Sequence, residues 1–299
     1  MHILAHQLGN GTSLELNARA LPAGSAKALW LVAGGGRGCV LKVEGPVAGL
    51  WIPLRGRLQL GAANDVFVHP GEARVSEAEP RMQAIGRGNA MWAAILGTPA
   101  AWRAALGGWP DASPVEPLLL PAMHAADREL RRSVIALVRA PGGLDQEIAV
   151  GAVLDRVLGL QHEFAPAIER CPGRTYTQRR QVFLRLQRVR NYLGANCHLD
   201  VDNDSLARMA SYSPWHFIRA FRAAYGETPH AYLVRQRLER ARRLLRGSPL
   251  AISEIALASG FENRCAFSRL FRQRYGTTAG AVRRQGHASG SPLHTVAAG

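Results

Sequence analysis

The chain has 299 residues and a formal net charge of +15, from 37 Lys and Arg against 22 Asp and Glu. That length suits two domains, and no run reaches the roughly 18 apolar residues needed to span a bilayer; Met1-His-Ile-Leu-Ala-His6 also lacks the basic and apolar regions of a signal peptide. Cys39, Cys171, Cys197 and Cys265 form no CxxC pair or Cys/His cluster, which argues against a disulfide framework or structural zinc and for a reducing cytoplasm.

Residues 1 to about 97 read as β structure. Short apolar and β-branched runs at 28–33, 38–43, 49–54, 57–60 and 65–69 are punctuated by Gly34-Gly-Gly36, Gly45-Pro46, Gly56, Gly61, Pro70-Gly71 and Gly86. Closely spaced strands with such turns predict a small barrel or sandwich. Gly34-Gly-Gly-Arg-Gly38 lacks the Lys-Ser/Thr and helix of a phosphate loop and reads as a tight turn. His69 and Glu72 have no further histidine nearby to complete a metal site, so no metal is expected. Trp30, Trp51 and Trp92, with Trp102, either line an apolar effector cavity or fill a small barrel. Trp51-Ile-Pro-Leu-Arg-Gly56 followed by His69-Pro-Gly71 resembles the strand-turn pattern of a cupin-like barrel.

From Pro99 the period changes. A short helix at 100–106 and a loop at Gly107–Pro114 precede an amphipathic helix from Met123 to Val138, with Leu130, Val134, Leu137 and Val138 on one face. Pro141-Gly-Gly143 turns the chain into a second helix, Leu144 to Phe164. Its Ile148, Val150, Val153, Leu154, Val157, Leu158 and Leu160 cover more than one stripe, enough to pack on the barrel and pair with a second subunit. Residues 165–177, with Pro166, Pro172 and Gly173, read as a linker. The tail 286–299 is small, polar and expected to be disordered.

The charge excess lies after the linker: residues 175–299 carry 20 arginines against 7 acids. A near-neutral half joined to a basic half suggests a sensor or partner domain attached to a nucleic-acid binder. That basic half contains a repeat. Ser213 to Gly226 and Asn263 to Gly276 superpose at an offset of fifty, matching Phe217 with Phe267, Arg219 with Arg269, Phe221 with Phe271, Arg222 with Arg272 and Tyr225 with Tyr275. Each copy predicts a helix, N-capped by Ser213 or Asn263 and stopped by Gly226 or Gly276. Phe217, Ala220, Phe221 and Ala224 fall on a core face, with Trp215, Ile218, Arg219 and Arg222 opposite. A short apolar helix precedes each copy, Leu206–Ala210 and Ile252–Ala258, across a brief turn. Two helices joined so, the second bearing arginines, form the helix-turn-helix arrangement. A helical bundle with a solvated basic face is the alternative.

From about Phe183 to Arg284 the chain resembles the DNA-binding domain of the AraC/XylS family of bacterial transcription regulators. The matching positions include Phe221-Arg222, Gly226, Thr228-Pro229, Arg237-Leu238, Ile255-Ala256, Gly260-Phe261, Phe267-Ser268-Arg269 and Tyr275-Gly276; Ala279 departs from the family's usual proline. The resemblance implies a two-domain α+β protein: a cupin-like β-barrel with a helical hairpin at 1–164, and an all-α domain with two helix-turn-helix units at 178–285. It implies a cytoplasmic homodimer that binds double-stranded promoter DNA, engages RNA polymerase and answers a small-molecule effector without a cofactor. By the same resemblance Trp215, Ile218 and Arg219 of the first helix and Arg264, Cys265, Ser268 and Arg269 of the second face bases. Arginine can donate twice to guanine, and Ile218 and Trp215 suit a thymine methyl. Arg222 and Arg272, one turn further along, suit phosphates. An N-terminal domain that binds a protein partner, or a cupin-type enzyme fused to a DNA-binding domain, stays open as an alternative. No catalytic residue is assigned.

Overall fold

The computed structural model of the protein describes residues 3–20, 27–61, 66–106, 119–140 and 142–288. The chain divides into two compact units, the first ending at Gln187 and the second beginning at Arg188. Strand-rich and all-helical respectively, they make a two-unit α+β architecture.

The first unit is organised by two very long strands. Its strands are β1 (Ile3–Leu8), β2 (Ser13–Asn17), β3 (Leu29–Gly36), β4 (Val40–Gly61), β5 (Val66–Val68), β6 (Glu72–Gly97) and β7 (Ala122–Ala125). The sheet runs β1-β3-β6-β4-β2, with β5 on β4 and β7 on β6. Ala84 in the middle of β6 pairs with both Leu41 and Leu60, from the two ends of β4; Leu50 in the middle of β4 pairs with both Val75 and Ile95, from the two ends of β6. Each long strand therefore lies between the ends of the other, and the sheet curls nearly into a barrel. The runs expected as separate strands at 38–43, 49–54 and 57–60 are pieces of β4. Gly45-Pro46 does not end it: proline lacks the N–H a ladder needs, and the register shifts between Glu44 and Val47 instead. At Gly56 (φ 71°) an added Cβ would lie 2.8 Å from Ala90 Cα, so the bend there needs glycine.

Both faces of the curl are buried, and alternate residues divide between two cores. Leu29, Leu31, Leu50, Ile52, Ala93 and Ile95 pack with the helices, while Trp30, Val32, Trp51, Trp92, Ala94 and Leu96 fill the inside. That is why the runs read as unbroken apolar stretches rather than as clean alternation. The helices are α1 (Pro99–Ala105), α2 (Arg128–Arg139) and α3 (Gly143–Gln161), then a 3-10 turn His162–Phe164, α4 (Ala165–Glu169) and α5 (Tyr176–Ala195). α2 begins five residues later than the sequence pattern suggests. Residues 122–125 pair as β7 with 72–75, and the Asp127 carboxylate accepts from Leu130 N at 2.7 Å to start the helix. Leu130, Val134 and Leu137 meet Val150, Val153, Leu154 and Val157 of α3, which leaves Leu144 and Ile148 73% and 63% exposed.

The stretch 165–177 expected as an open linker is largely structured. It contains α4, buries Ile168 and Cys171, and is pinned by Glu169 to Arg179 at 3.2 Å. The unit boundary falls instead inside α5. The loop expected at Gly107–Pro114 lies outside the described residues, as does Pro141 of the expected helix-hairpin turn.

The second unit holds the end of α5, then α6 (Asn203–Met209), α7 (Pro214–Tyr225), α8 (Pro229–Gly247), α9 (Ile252–Ala258), α10 (Arg264–Tyr275) and α11 (Ala279–Ala288). The last helix runs past Gly286, where the tail was expected to begin; residues 289–299 lie outside the described ones. Thr228 and Thr278 cap α8 and α11, each hydroxyl accepting an amide at 3.2 Å. Leu238, Ala241 and Leu245 on one face of α8 pack with Ile255, Phe261, Phe267, Phe271 and Val282.

Candidate nucleic-acid interface

The two helix pairs α6–α7 and α9–α10 are built alike. After α6 the chain turns through Ser211 at φ 58°, with Tyr212 N donating to Ala207 O at 2.9 Å. After α9 it turns through Gly260 at φ 90°, with Phe261 N donating to Ala256 O at 3.0 Å. This left-handed turn closes the end of each first helix and redirects the chain into the second. These pairs differ by 49 positions, while Ser213 and Asn263 differ by 50; Glu262 is the extra residue. An offset of fifty therefore aligns the second helices and puts the first ones out of step.

Each second helix is locked by the same aromatic stack. Phe217, Phe221 and Tyr225 run along α7 with ring centroids 5.8 Å and 4.7 Å apart, and Phe267, Phe271 and Tyr275 along α10 at 5.4 Å and 4.7 Å. A guanidinium covers each terminal tyrosine: Arg190 lies 4.9 Å from the Tyr225 ring and Arg242 5.0 Å from that of Tyr275. Gly226 and Gly276 end the helices at φ 75° and 68°. The expected core face is buried throughout, Phe217, Ala220, Phe221 and Ala224 being at most 6% exposed.

The opposite face is open. Trp215, Arg219 and Arg222 on α7, and Arg264, Cys265, Ser268, Arg269 and Arg272 on α10, are exposed; Ile218 is half-buried. Trp215 is 62% exposed. The Arg219 guanidinium sits 5.2 Å from its centroid and so shares one surface with it. One cap departs from expectation. Asn263 Oδ1 accepts from Cys265 N and Ala266 N at 2.7 and 3.2 Å, but the Ser213 hydroxyl instead meets His216 Nδ1 at 2.7 Å. His216, also edge-on to Trp215 at 5.0 Å, is a residue sequence reasoning passed over. Its exposed place in the first turn of α7 was the available signal.

Of the two places open to the tryptophans of the strand-rich unit, cavity wall or packed interior, the structure shows the interior. Trp30, Trp51 and Trp92 are at most 3% exposed and interlock inside the curled sheet. Trp51 Nε1 donates to Ser76 Oγ at 3.0 Å and Trp92 Nε1 to Cys39 Sγ at 3.3 Å. An added Cβ at Gly34 would lie 2.2 Å from the Trp92 ring, so that glycine leaves room for the indole. These tryptophans fill the strand core. At the turn before β6, His69 N donates to Glu72 Oε2 at 2.9 Å, a local turn contact. Among the described residues no group of three or more His, Cys, Asp or Glu is gathered for a metal, and no helix is long and apolar enough to cross a membrane.

Comparison with known proteins matches residues 206–285 to a helix-turn-helix domain family. The HTH-type transcriptional regulator GlxA of Rhizobium meliloti (strain 1021) is 43% identical over 86 residues, 28% of this chain and 26% of that protein. The probable transcription factor PqrA of Proteus vulgaris is 34% identical over 83 residues, 28% of this chain but 68% of PqrA. The chain belongs to the AraC-type family of helix-turn-helix transcriptional regulators. Among solved structures, the DNA-binding domain of AdpA in complex with a target DNA is 31% identical, covering 36% of this chain and 96% of that one, with a TM-score of 0.34. These AraC-type similarities fall on the helical second unit, and the alignment spans only about a quarter of the length of GlxA.

Proposed function

We propose that the protein is a sequence-specific regulator of transcription that reads promoter DNA with two helix-turn-helix units and responds to a signal through a cupin-like N-terminal unit. The observation that carries this reading is the matched pair α7 and α10: two helices with the same buried stack, each leaving a face of exposed arginine beside small or flat side chains. In this reading Trp215, Ile218, Arg219, Arg264, Cys265, Ser268 and Arg269 meet base edges, and Arg222 and Arg272 hold phosphates. His216 joins the first group. The DNA-binding domain begins with α5, at about residue 178, and the protein acts in the cytoplasm on promoters served by RNA polymerase. Its role is recognition and not catalysis.

Duplexes selected by the full chain from a random pool should share two short sequence blocks about one helical turn, roughly 10 base pairs, apart. Recovery of duplexes with no common block would sink the reading.

A homodimer through residues 122–164 completes the proposal. Leu144 and Ile148 lie one turn apart on α3 with most of their surface in water, a patch that a second copy of the same helix would cover. Sedimentation of the full chain should give a dimer at tens of micromolar, on the order of ordinary weak-interface affinities. The double variant Leu144→Glu, Ile148→Glu should sediment as a monomer. An unchanged distribution would contradict this interface.

A further inference from the structure

A pocket of about 170 Å³ lies in the first unit, where the edge of the sheet meets the start of α3. β1 ends the sheet and, among the described residues, pairs only with β3; Ala5, His6 and Gln7 of β1 line the pocket. The pleat sorts these three. Ala5 and Gln7 lie across from Leu31 and Ala33, on the face where Leu31 packs with the helices, while His6 lies across from Val32 of the inner core and is turned to the other face. From the α2–α3 turn and its flanks, Val138, Gly142 and Gln146 line the same pocket. Among the described lining residues there is no Arg, Lys, Asp or Glu.

Two polar features of this wall are left open. Gln146 is 9% exposed, yet its carboxamide has no hydrogen-bond partner among the described residues. A primary amide carries two donor hydrogens beside an acceptor oxygen, and buried ones are ordinarily paired. The second feature is the end of the helix itself. α3 is 19 residues long, and its N-cap, Gly142 at φ 104°, gives the first-turn amides no side-chain hydrogen bond. Gly142 and Gln146 stand one turn apart, so the open helix end and the unpaired carboxamide share one face. Asp145, in the same turn, is exposed and is not among the lining residues.

We infer that this pocket binds a small molecule through a carboxamide group. A ligand amide satisfies both halves of Gln146 at once, accepting from its Nε2 and donating to its Oε1. Its carbonyl oxygen also suits the uncapped amides of α3. A carboxylate offers acceptors alone, and the described wall holds no Lys or Arg to offset the loss of its hydration. The body of the ligand meets Leu31 and Val138. A volume of about 170 Å³ is close to that of a cavity that accepts a benzene ring, about 150 Å³, which sets the size of that body.

This deepens the effector part of the reading above and rests on it, yet ligand binding is measured without DNA. Titration calorimetry of the full chain should show saturable binding of benzamide at about millimolar concentration or below, with benzoate weaker by about tenfold or more, the scale of one lost hydrogen bond. Gln146→Leu should remove the preference for the amide while leaving the urea midpoint unchanged or raised, since it replaces an unpaired buried amide with an apolar group. Ala5→Phe, which fills the pocket from an exposed position on β1, should weaken both ligands. No saturation by benzamide, benzoate bound as tightly, or a Gln146→Leu variant that keeps the preference would overturn the site. A lowered midpoint for Gln146→Leu would assign that amide to the fold and overturn it too. A chain that binds benzamide but prefers no duplex would instead contradict the regulator reading and leave the site standing.

Discussion

Replacing Gly260 with alanine should destabilise the helical unit by about 2–5 kcal/mol and remove duplex binding with it. Gly260 turns α9 into α10 at φ 90°, a conformation that costs an L-residue about 1–2 kcal/mol. Its surroundings leave no space either. An added Cβ would stand 2.8 Å from Arg237 Nε, 2.9 Å from Cys197 O and 3.0 Å from His198 Cα. Two of these atoms are backbone and cannot swing aside. Arg237 is itself tied down, donating to Cys197 O at 2.7 Å and Leu199 O at 2.9 Å. Gly226 is the control: its φ is 75°, but nothing lies within 4 Å of an added Cβ. Gly226→Ala should therefore show only the conformational cost, about 1–2 kcal/mol. Urea unfolding of both variants, followed by helical circular dichroism, measures the contrast. Equal midpoints for the two would show that the close approach at Gly260 contributes nothing.

Arg219→Ala and Arg222→Ala should separate base reading from phosphate holding on a single helix. Arg219 lies beside Trp215, its guanidinium 5.2 Å from the ring, on the same exposed face and midway along α7. The indole limits the orientations the guanidinium samples, which favours directed donation to a guanine edge. Losing it should cost about 1–3 kcal/mol at the selected site, relax preference at one base pair and leave non-specific binding nearly intact. Arg222 lies three residues later, in the last turn of α7, and is exposed. Its removal should weaken selected and scrambled duplexes alike and reduce the salt slope by about one unit. Titrations of both variants at several salt concentrations test this; an Arg219→Ala variant weakened equally on every sequence would reduce that face to an electrostatic one.

The helical unit was largely legible because its signals are local. N-cap residues, the terminating Gly226 and Gly276, and the i, i+3, i+4, i+7 spacing of Phe217, Ala220, Phe221 and Ala224 all act within one or two turns. Less visible was the left-handed turn at Ser211, whose counterpart Gly260 is displaced by one residue from the fifty-position repeat. The Ser213 cap was also misjudged, because a histidine three residues on competes for the same hydroxyl.

The strand-rich unit was legible in class and much less so in connection. Trp30, Trp51 and Trp92 carry no mark that distinguishes a ligand wall from a packed interior; only the pairing of β4 and β6 along both their ends decides it. Strand length was hidden for a related reason. Glycine and proline ordinarily end a strand, but at Gly45-Pro46 and Gly56 they bend β4 while its neighbours carry the ladder on. Residues 122–125 joined the sheet because β6 offered an unpaired edge at 72–75, a long-range opportunity that helical periodicity nearby concealed. Of the candidate interface, the exposed arginines could be named from spacing alone, whereas the contact of Arg219 with Trp215 and the place of His216 needed coordinates.

The measurement closest to the central claim is the affinity of the full chain for a selected duplex and for a scrambled duplex of the same composition, across a range of salt. Preference for the selected duplex should reach about a thousandfold or more near physiological salt, with both affinities falling as salt rises. Equal affinities that fall together with salt would mean that the exposed faces of α7 and α10 attract DNA without reading it.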